Sequence, residues 1–189
     1  LANIGSTIAH MHQALAGFSH SGSGRTHPWS LEGAGMHRKC TPHIQDGALR
    51  RAADCAFQLH AALDLSDCPR GMLHGDVNNE NILVDGEDVT AVLDFGDCLE
   101  GPLVADLAIT LAYAFQHEDM ELETAAAIVE GYDRVRPLDL SEQQALFPLM
   151  LARLATSACF AAVREETDPA HATWYGQLQS TREPLLKLA

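Results

Sequence analysis

Lysine is almost missing from this chain: Lys39 and Lys187 are the only two in 189 residues. Basic blocks are missing too, since nothing exceeds the pairs Arg38-Lys39 and Arg50-Arg51, and the formal net charge is −14. That balance argues against a nucleic-acid backbone or an anionic membrane as partner. Cysteine pairs at metal or redox spacing are lacking as well. Cys40, Cys55, Cys68, Cys98 and Cys159 are odd in number and never form Cys-x-x-Cys. They fit reduced, cytosolic thiols better than a disulfide framework or a zinc site. No apolar run reaches membrane-spanning length, and the N-terminus lacks a charged-then-apolar signal pattern. The expectation is a soluble, acidic, cytoplasmic domain, with 47% hydrophobic residues to build its core.

Periodicity organises the rest. Ile4, Ile8, Met11 and Leu15 recur at spacings of three and four, an amphipathic helix over residues 2–16. Residues 17–44 are rich in Gly, Ser, His and Pro and read as a long loop with a short turn around Trp29. A second helix at 45–64 carries Leu49, Ala53, Ala56, Phe57, His60 and Leu63 on one side. Residues 72–73, 82–84 and 89–95 are short β-type runs, and Asp85-Gly86-Glu87-Asp88 supplies a turn between the last two, a hairpin. Gly101-Pro102 opens an apolar helix with Pro at its first position. From about residue 121 the pattern is helical, with a capping box at Ser141 and Gln144, a kink at Pro148 and a last helix over 169–187. The expected architecture is α+β but mainly α, a helical bundle with a small central β-hairpin.

The polar residues concentrate in that hairpin region, "LHGDVNNENILVDGEDVTAVLDFGD". Asp76 follows His74-Gly75, where glycine lets the chain turn tightly. Asn81 enters the second strand and Asp94 ends the third. If the hairpin forms, Asn81 and Asp94 lie at the same open end, and the loop carrying Asp76 folds over them. Amide and carboxylate oxygens converging from one side suit a hard divalent cation that keeps positions for water and phosphate. A further carboxylate outside that shell can accept a proton from a hydroxyl, which is the logic of phosphoryl transfer.

The pattern H-G-D-x4-N followed by D-F-G resembles the catalytic and metal loops of the protein-kinase-like superfamily. Glycine after the histidine is similar to the aminoglycoside phosphotransferase and choline kinase branch. Within it, "HGDVNNENILV", "VLDFGD" and "PLVADLAITLAYA" look most like the hydroxylysine kinase and homoserine-kinase-like group. The resemblance implies Asp76 as catalytic base, Asn81 and Asp94 as Mg²⁺ ligands, and His74 as a residue shaping the loop. It implies Asp106 as a buried acceptor bracing that loop, with ATP or GTP as co-substrate. Asn78 stands where protein kinases carry a lysine, leaving the site short of positive charge. The same resemblance implies a C-terminal lobe only, 1–189, with catalytic and metal loops at 72–97 and the N-terminal β-lobe absent. Neither lysine sits on a strand, and "SGSGRTH" fails G-x-G-x-x-G because His27 takes the last glycine position. The nucleotide-binding residues are therefore unknown.

Other polar groups have plainer readings. His10 and His12 stand two apart on a helix and point away from each other, so core or surface outweighs a metal site. Asp97 and Glu100 read as solvated loop acids, with Asp97 also a candidate support for the metal. Trp29 either packs the long loop or borders a substrate pocket. Glu165, Glu166 and Asp168 read as a solvated helix end, with a contact to a cationic amine as the rival. Two functions follow: a small-molecule kinase acting on a hydroxyl of an amine-bearing substrate, or a truncated, catalytically incompetent lobe serving as a binding module. A lone lobe exposes the apolar face meant for its partner, which predicts self-association.

Overall fold

The computed structural model describes residues 1–116, 122–168 and 177–189. Helix α1 is Ala2–Ala14, α2 Gly47–Ala61, α3 Val104–Ala114, α4 Leu122–Val135, α5 Leu140–Thr167 and α6 Gln177–Leu188. The strands are β1 Arg70–Leu73, β2 Ile82–Asp85, β3 Asp88–Val92 and β4 Leu99–Pro102. The start expected for the last helix, 169–176, lies outside the described residues.

Helix α5 is the axis of the fold, packed against α2, α3, α6 and the segment Ala34–His43. Ala145, Ala152, Ala155, Ala158 and Ala162 are buried along it, so neighbours approach closely. It is also long and apolar enough to cross a membrane by length and composition, which corrects the expectation of no such run. Its apolarity answers to surrounding protein, because most of it is buried inside the molecule. It continues through Pro148 as one helix. Its cap corrects the expected Ser141–Gln144 box. Asp139 is the N-cap, accepting the Glu142 amide at 2.9 Å, while the Glu142 side chain accepts the Asp139 amide at 3.2 Å. Ser141 donates to the same Asp139 carboxylate.

Helices α1 and α4 meet backbone to backbone. A Cβ at Gly5 would overlap the carbonyl of Ile128, and one at Gly131 would overlap that of Ala2. Helix α2 buries the expected face, Leu49, Ala53, Ala56, Phe57 and His60, and is capped by Asp46. The long loop is more ordered than its composition suggests, since Ala34–His43 is a 3₁₀ segment.

The hairpin forms as β2–β3 with Ile82 opposite Val92 and a register shift between Leu83 and Val84. Strand β3 stops at Val92, short of the expected 95, because Asp94 takes a left-handed φ of 58° and Phe95–Asp97 coils into a 3₁₀ turn. A second two-stranded sheet was not expected: β1 pairs antiparallel with β4, Arg70 opposite Pro102 and Leu73 opposite Leu99. Gly101-Pro102 thus ends a strand rather than opening α3, at a strand end where proline's missing N–H is tolerated.

Ser141 first, then the Glu142 backbone N–H, hold the Asp139 carboxyl below its ordinary range. A lowered carboxyl stabilises the fold above its unfolded value, and that contribution is lost as pH falls through the folded one. Asp139→Ala should lower Tm at neutral pH, with the gap to wild type closing as pH falls below about 4. Thermal melts across that range check it; a gap that persists at low pH would show that the carboxylate is not the acting group.

Candidate active site

The site starts from a buried charge. Asp106 lies in the first turn of the apolar helix α3 and is fully buried. Its Oδ2 accepts the His74 amide at 2.8 Å and its Oδ1 the Gly75 amide at 2.9 Å. One turn on, Thr110 donates to the Val77 carbonyl at 2.9 Å. The loop leaving β1 is therefore pinned to α3 over four residues. Gly75 makes the turn at φ 85°, and a Cβ there would lie 2.5 Å from the Asp97 carbonyl.

Asp106 also takes His12 from α1, whose Nε2 donates to Oδ2 at 3.0 Å. His12 Nδ1 meets the Tyr132 hydroxyl at 2.9 Å, and Arg136 donates to that hydroxyl at 3.0 Å and to Glu142 at 2.7 Å. Burial pushes the Tyr132 phenol up, so it stays a proton donor to the ring. His10, two residues away, is exposed, as the helical spacing requires.

His74 is buried and its ring spans two loops. Its Nε2 donates to the Leu93 carbonyl at 2.8 Å and its Nδ1 accepts the Asp76 amide at 3.2 Å. Leu93 N also donates to the Asn81 carbonyl at 2.8 Å, so Asn81 and Asp94 do share the open end of the hairpin. Asn78 donates to Asp76 Oδ2 at 2.9 Å, and its own oxygen accepts the Glu80 and Asn81 amides. Asn81 turns its Nδ2 toward the Asp76 carbonyl at 2.9 Å. Its amide oxygen therefore points away from that contact. Asp94 is exposed, with Oδ1 accepting the Gly96 amide at 3.1 Å. An amide oxygen and a carboxylate at adjoining strand ends are hard donors of the kind that fit a divalent cation.

The residue that sequence reasoning missed is Arg153, in the middle of α5. It is 2% exposed, and its Nη2 donates to Asp76 Oδ1 at 2.8 Å and to the Tyr113 hydroxyl at 3.1 Å. Its guanidinium lies over the Trp29 ring, 4.5 Å from the centroid. A signal existed: a lone cation inside an apolar helical run needs a buried counter-charge. Asp76, Arg153, Trp29, Tyr113, Gln116 and Asp97 line one cavity of about 380 Å³. Asp97 also faces His27 at 3.4 Å, while Glu166 pairs with His43 at 2.8 Å on another surface. Glu100 is exposed, its amide held by the Ser23 carbonyl at 2.8 Å.

The model of the phosphotransferase enzyme family matches residues 1–138. The chain belongs to that family. Hydroxylysine kinase of Mus musculus is 30% identical over 178 residues, 86% of this chain and 47% of that protein. Homoserine kinase of Methylobacillus flagellatus is 31% identical over 153 residues, 79% of this chain and 46% of its own length. The chain thus spans about half the length of the curated relatives it matches. Among solved structures, an amicoumacin kinase in complex with AMP-PNP, Ca²⁺ and Ami superposes with a TM-score of 0.65 at 16% identity, covering 98% of this chain and 58% of that one. An aminoglycoside phosphotransferase from Alicyclobacillus acidocaldarius gives 0.64 at 20% identity, covering 98% and 64%. The fold is that of protein-kinase-like phosphotransferases.

Asp106→Asn keeps the shape but sets an amide N–H₂ against backbone N–H donors. It should cost about 3 kcal/mol in urea unfolding, the range for charged hydrogen bonds left unmade. A loss within experimental error would show that the loop does not depend on this carboxylate.

Proposed function

We propose that this chain carries the base, metal ligands and acceptor cavity of a small-molecule kinase. It would transfer the terminal phosphoryl group of ATP or GTP to a hydroxyl of a small, amine-bearing molecule of the hydroxylysine, homoserine or aminoglycoside kind. The observation that carries the reading is the setting of Asp76. It sits on the wall of an open cavity, fixed by Arg153 and Asn78, beside the hairpin end that bears Asn81 and Asp94. The names of the relatives, kinases of hydroxylysine and homoserine, support an amine-bearing hydroxy compound as acceptor.

Asn81 and Asp94 would hold Mg²⁺, which neutralises phosphate charge when bound. The chain's own part is orientation and proton handling. Asp76 takes the acceptor's hydroxyl proton as that oxygen bonds to phosphorus, and the bridging oxygen leaves with the nucleoside diphosphate. The five cysteines are free, and burial pushes Cys68 and Cys98 up and Cys159 up to about 12. Five unpaired cysteines support, as part of this reading, a reducing, cytoplasmic setting.

Leu83, Val84, Leu93 and Phe95 around the hairpin are each more than 40% exposed, which supports a second element of the reading, association between copies of the chain. A binding module without turnover would show this association alone.

Mg²⁺-dependent release of ADP or GDP should appear with a panel of hydroxy amino acids, amino alcohols and aminoglycosides. Asp76→Ala should cut it by about 10³-fold. No turnover across the panel, together with no nucleotide-induced thermal shift, would sink the kinase reading for this chain. Sedimentation should show a concentration-dependent dimer that Leu83→Ser with Phe95→Ser abolishes; a wild-type monomer at high concentration would end the association reading.

A further inference from the structure

The cavity beside Asp76 carries both signs of charge. Asp76, Glu80 and Asp97 bring three carboxylates to it, and among its described residues Arg153 is the one cation. Arginine carries five N–H donors. Two of them, on Nη2, are used by Asp76 and Tyr113, and Nη1 makes one long contact of 3.4 Å to the Trp29 carbonyl. Nε is buried and has no hydrogen-bond partner among the described residues. Gln116, at the end of α3, repeats the pattern. Its oxygen accepts the Ser180 hydroxyl at 3.1 Å, while its Nε2 is buried with no partner among the described residues. Buried donors without acceptors cost free energy unless a ligand completes them.

We propose that Arg153 and Gln116 determine acceptor specificity by binding a carboxylate on the acceptor, so that the cavity takes a small zwitterionic hydroxy amino acid. The assignment rests on the kinase reading above. Guanidinium and amide N–H groups on the α3 and α5 side meet the carboxylate, and Glu80 and Asp97 meet the ammonium. A polycationic aminosugar would set positive charge against Arg153 and leave the Gln116 amide unpaired. An amino alcohol without a carboxylate would satisfy the acids alone. Arg153 keeps its contact to Asp76 throughout, so the group that selects the acceptor also steadies the base.

The test is calorimetric binding to the full chain, with turnover measured separately. L-Homoserine and 5-hydroxy-L-lysine are compared with their decarboxylated counterparts, 3-aminopropan-1-ol and 1,5-diaminopentan-2-ol. Each zwitterion should bind at least about tenfold tighter than its counterpart. Arg153→Lys and Gln116→Leu should each shrink that ratio to about threefold or less and leave Mg²⁺·AMP-PNP affinity within about twofold. Thermal melts verify folding, and if Arg153→Lys fails to fold, Gln116→Leu decides. Zwitterions that bind no tighter than the amino alcohols, or not at all, overturn the proposal. So does a ratio unchanged in the folded variants, or a loss confined to the nucleotide, which would give Arg153 to phosphate instead. A zwitterion bound through Arg153 but never phosphorylated would sink the kinase reading and leave this assignment standing. Turnover of an amino alcohol untouched by Arg153→Lys would do the reverse.

Discussion

One carboxylate in the most apolar short helix of the molecule sets the geometry of everything around it. Asp106 has no access to water, so its charge is tolerable only if donors come to it. Three do, from two directions: the successive amides of His74 and Gly75, and the His12 ring. The first two fix how the chain leaves β1, and with it where Asp76 stands. The third ties α1 to α3 and extends through Tyr132 and Arg136 to Glu142 beside the cap of α5. A loop that must be rigid on one side and open on the other is held from below by charge rather than by sheet hydrogen bonds.

How much of this could be read in the sequence depends on whether the responsible contact is local. Helices α1 and α2 and the β2–β3 hairpin were legible because side-chain period and turn residues are properties of short windows. The shared open end of Asn81 and Asp94 followed from the hairpin alone. The β1–β4 pairing was not legible, because its partners are some thirty residues apart and Gly71 faces Gly101, a pair with no side chains to advertise a strand. The segment Ala34–His43 hid for another reason: a 3₁₀ coil has no 3.6-residue stripe, and its Gly, His and Pro content imitates a loop. Two overlapping boxes competed at the start of α5. Asp139 prevails there because its carboxylate gathers both Ser141 and the Glu142 amide, leaving Gln144 inside the helix.

Arg153 shows the limit differently. Its position in an apolar run announces a buried ion pair, but the chain does not say with which of many acids. The answer, Asp76, lies 77 positions away. The pairing also bears on the deficit of positive charge left by Asn78. That asparagine contributes a hydrogen bond to Asp76 rather than charge, and the cation arrives from helix α5.

Arg153 in turn stands where it does because the long segment after α1 is fastened. His37 donates to the Pro28 carbonyl and His60 to that of Leu31, both at 2.7 Å, and Glu32 pairs with Arg70 on β1. Those three ties bracket Trp29, whose ring meets Phe160 edge-on and covers the Arg153 guanidinium. Farther back along the same segment, Arg25 donates to the Gly96 carbonyl at 2.5 Å, beside the Asp94 turn. A stretch whose composition suggests only flexibility thus supports both halves of the site, the arginine beside Asp76 and the turn that carries Asp94. Histidines donating to backbone carbonyls do this without adding permanent charge. That suits a region already crowded with acids, where each further carboxylate would need a cation the chain scarcely has.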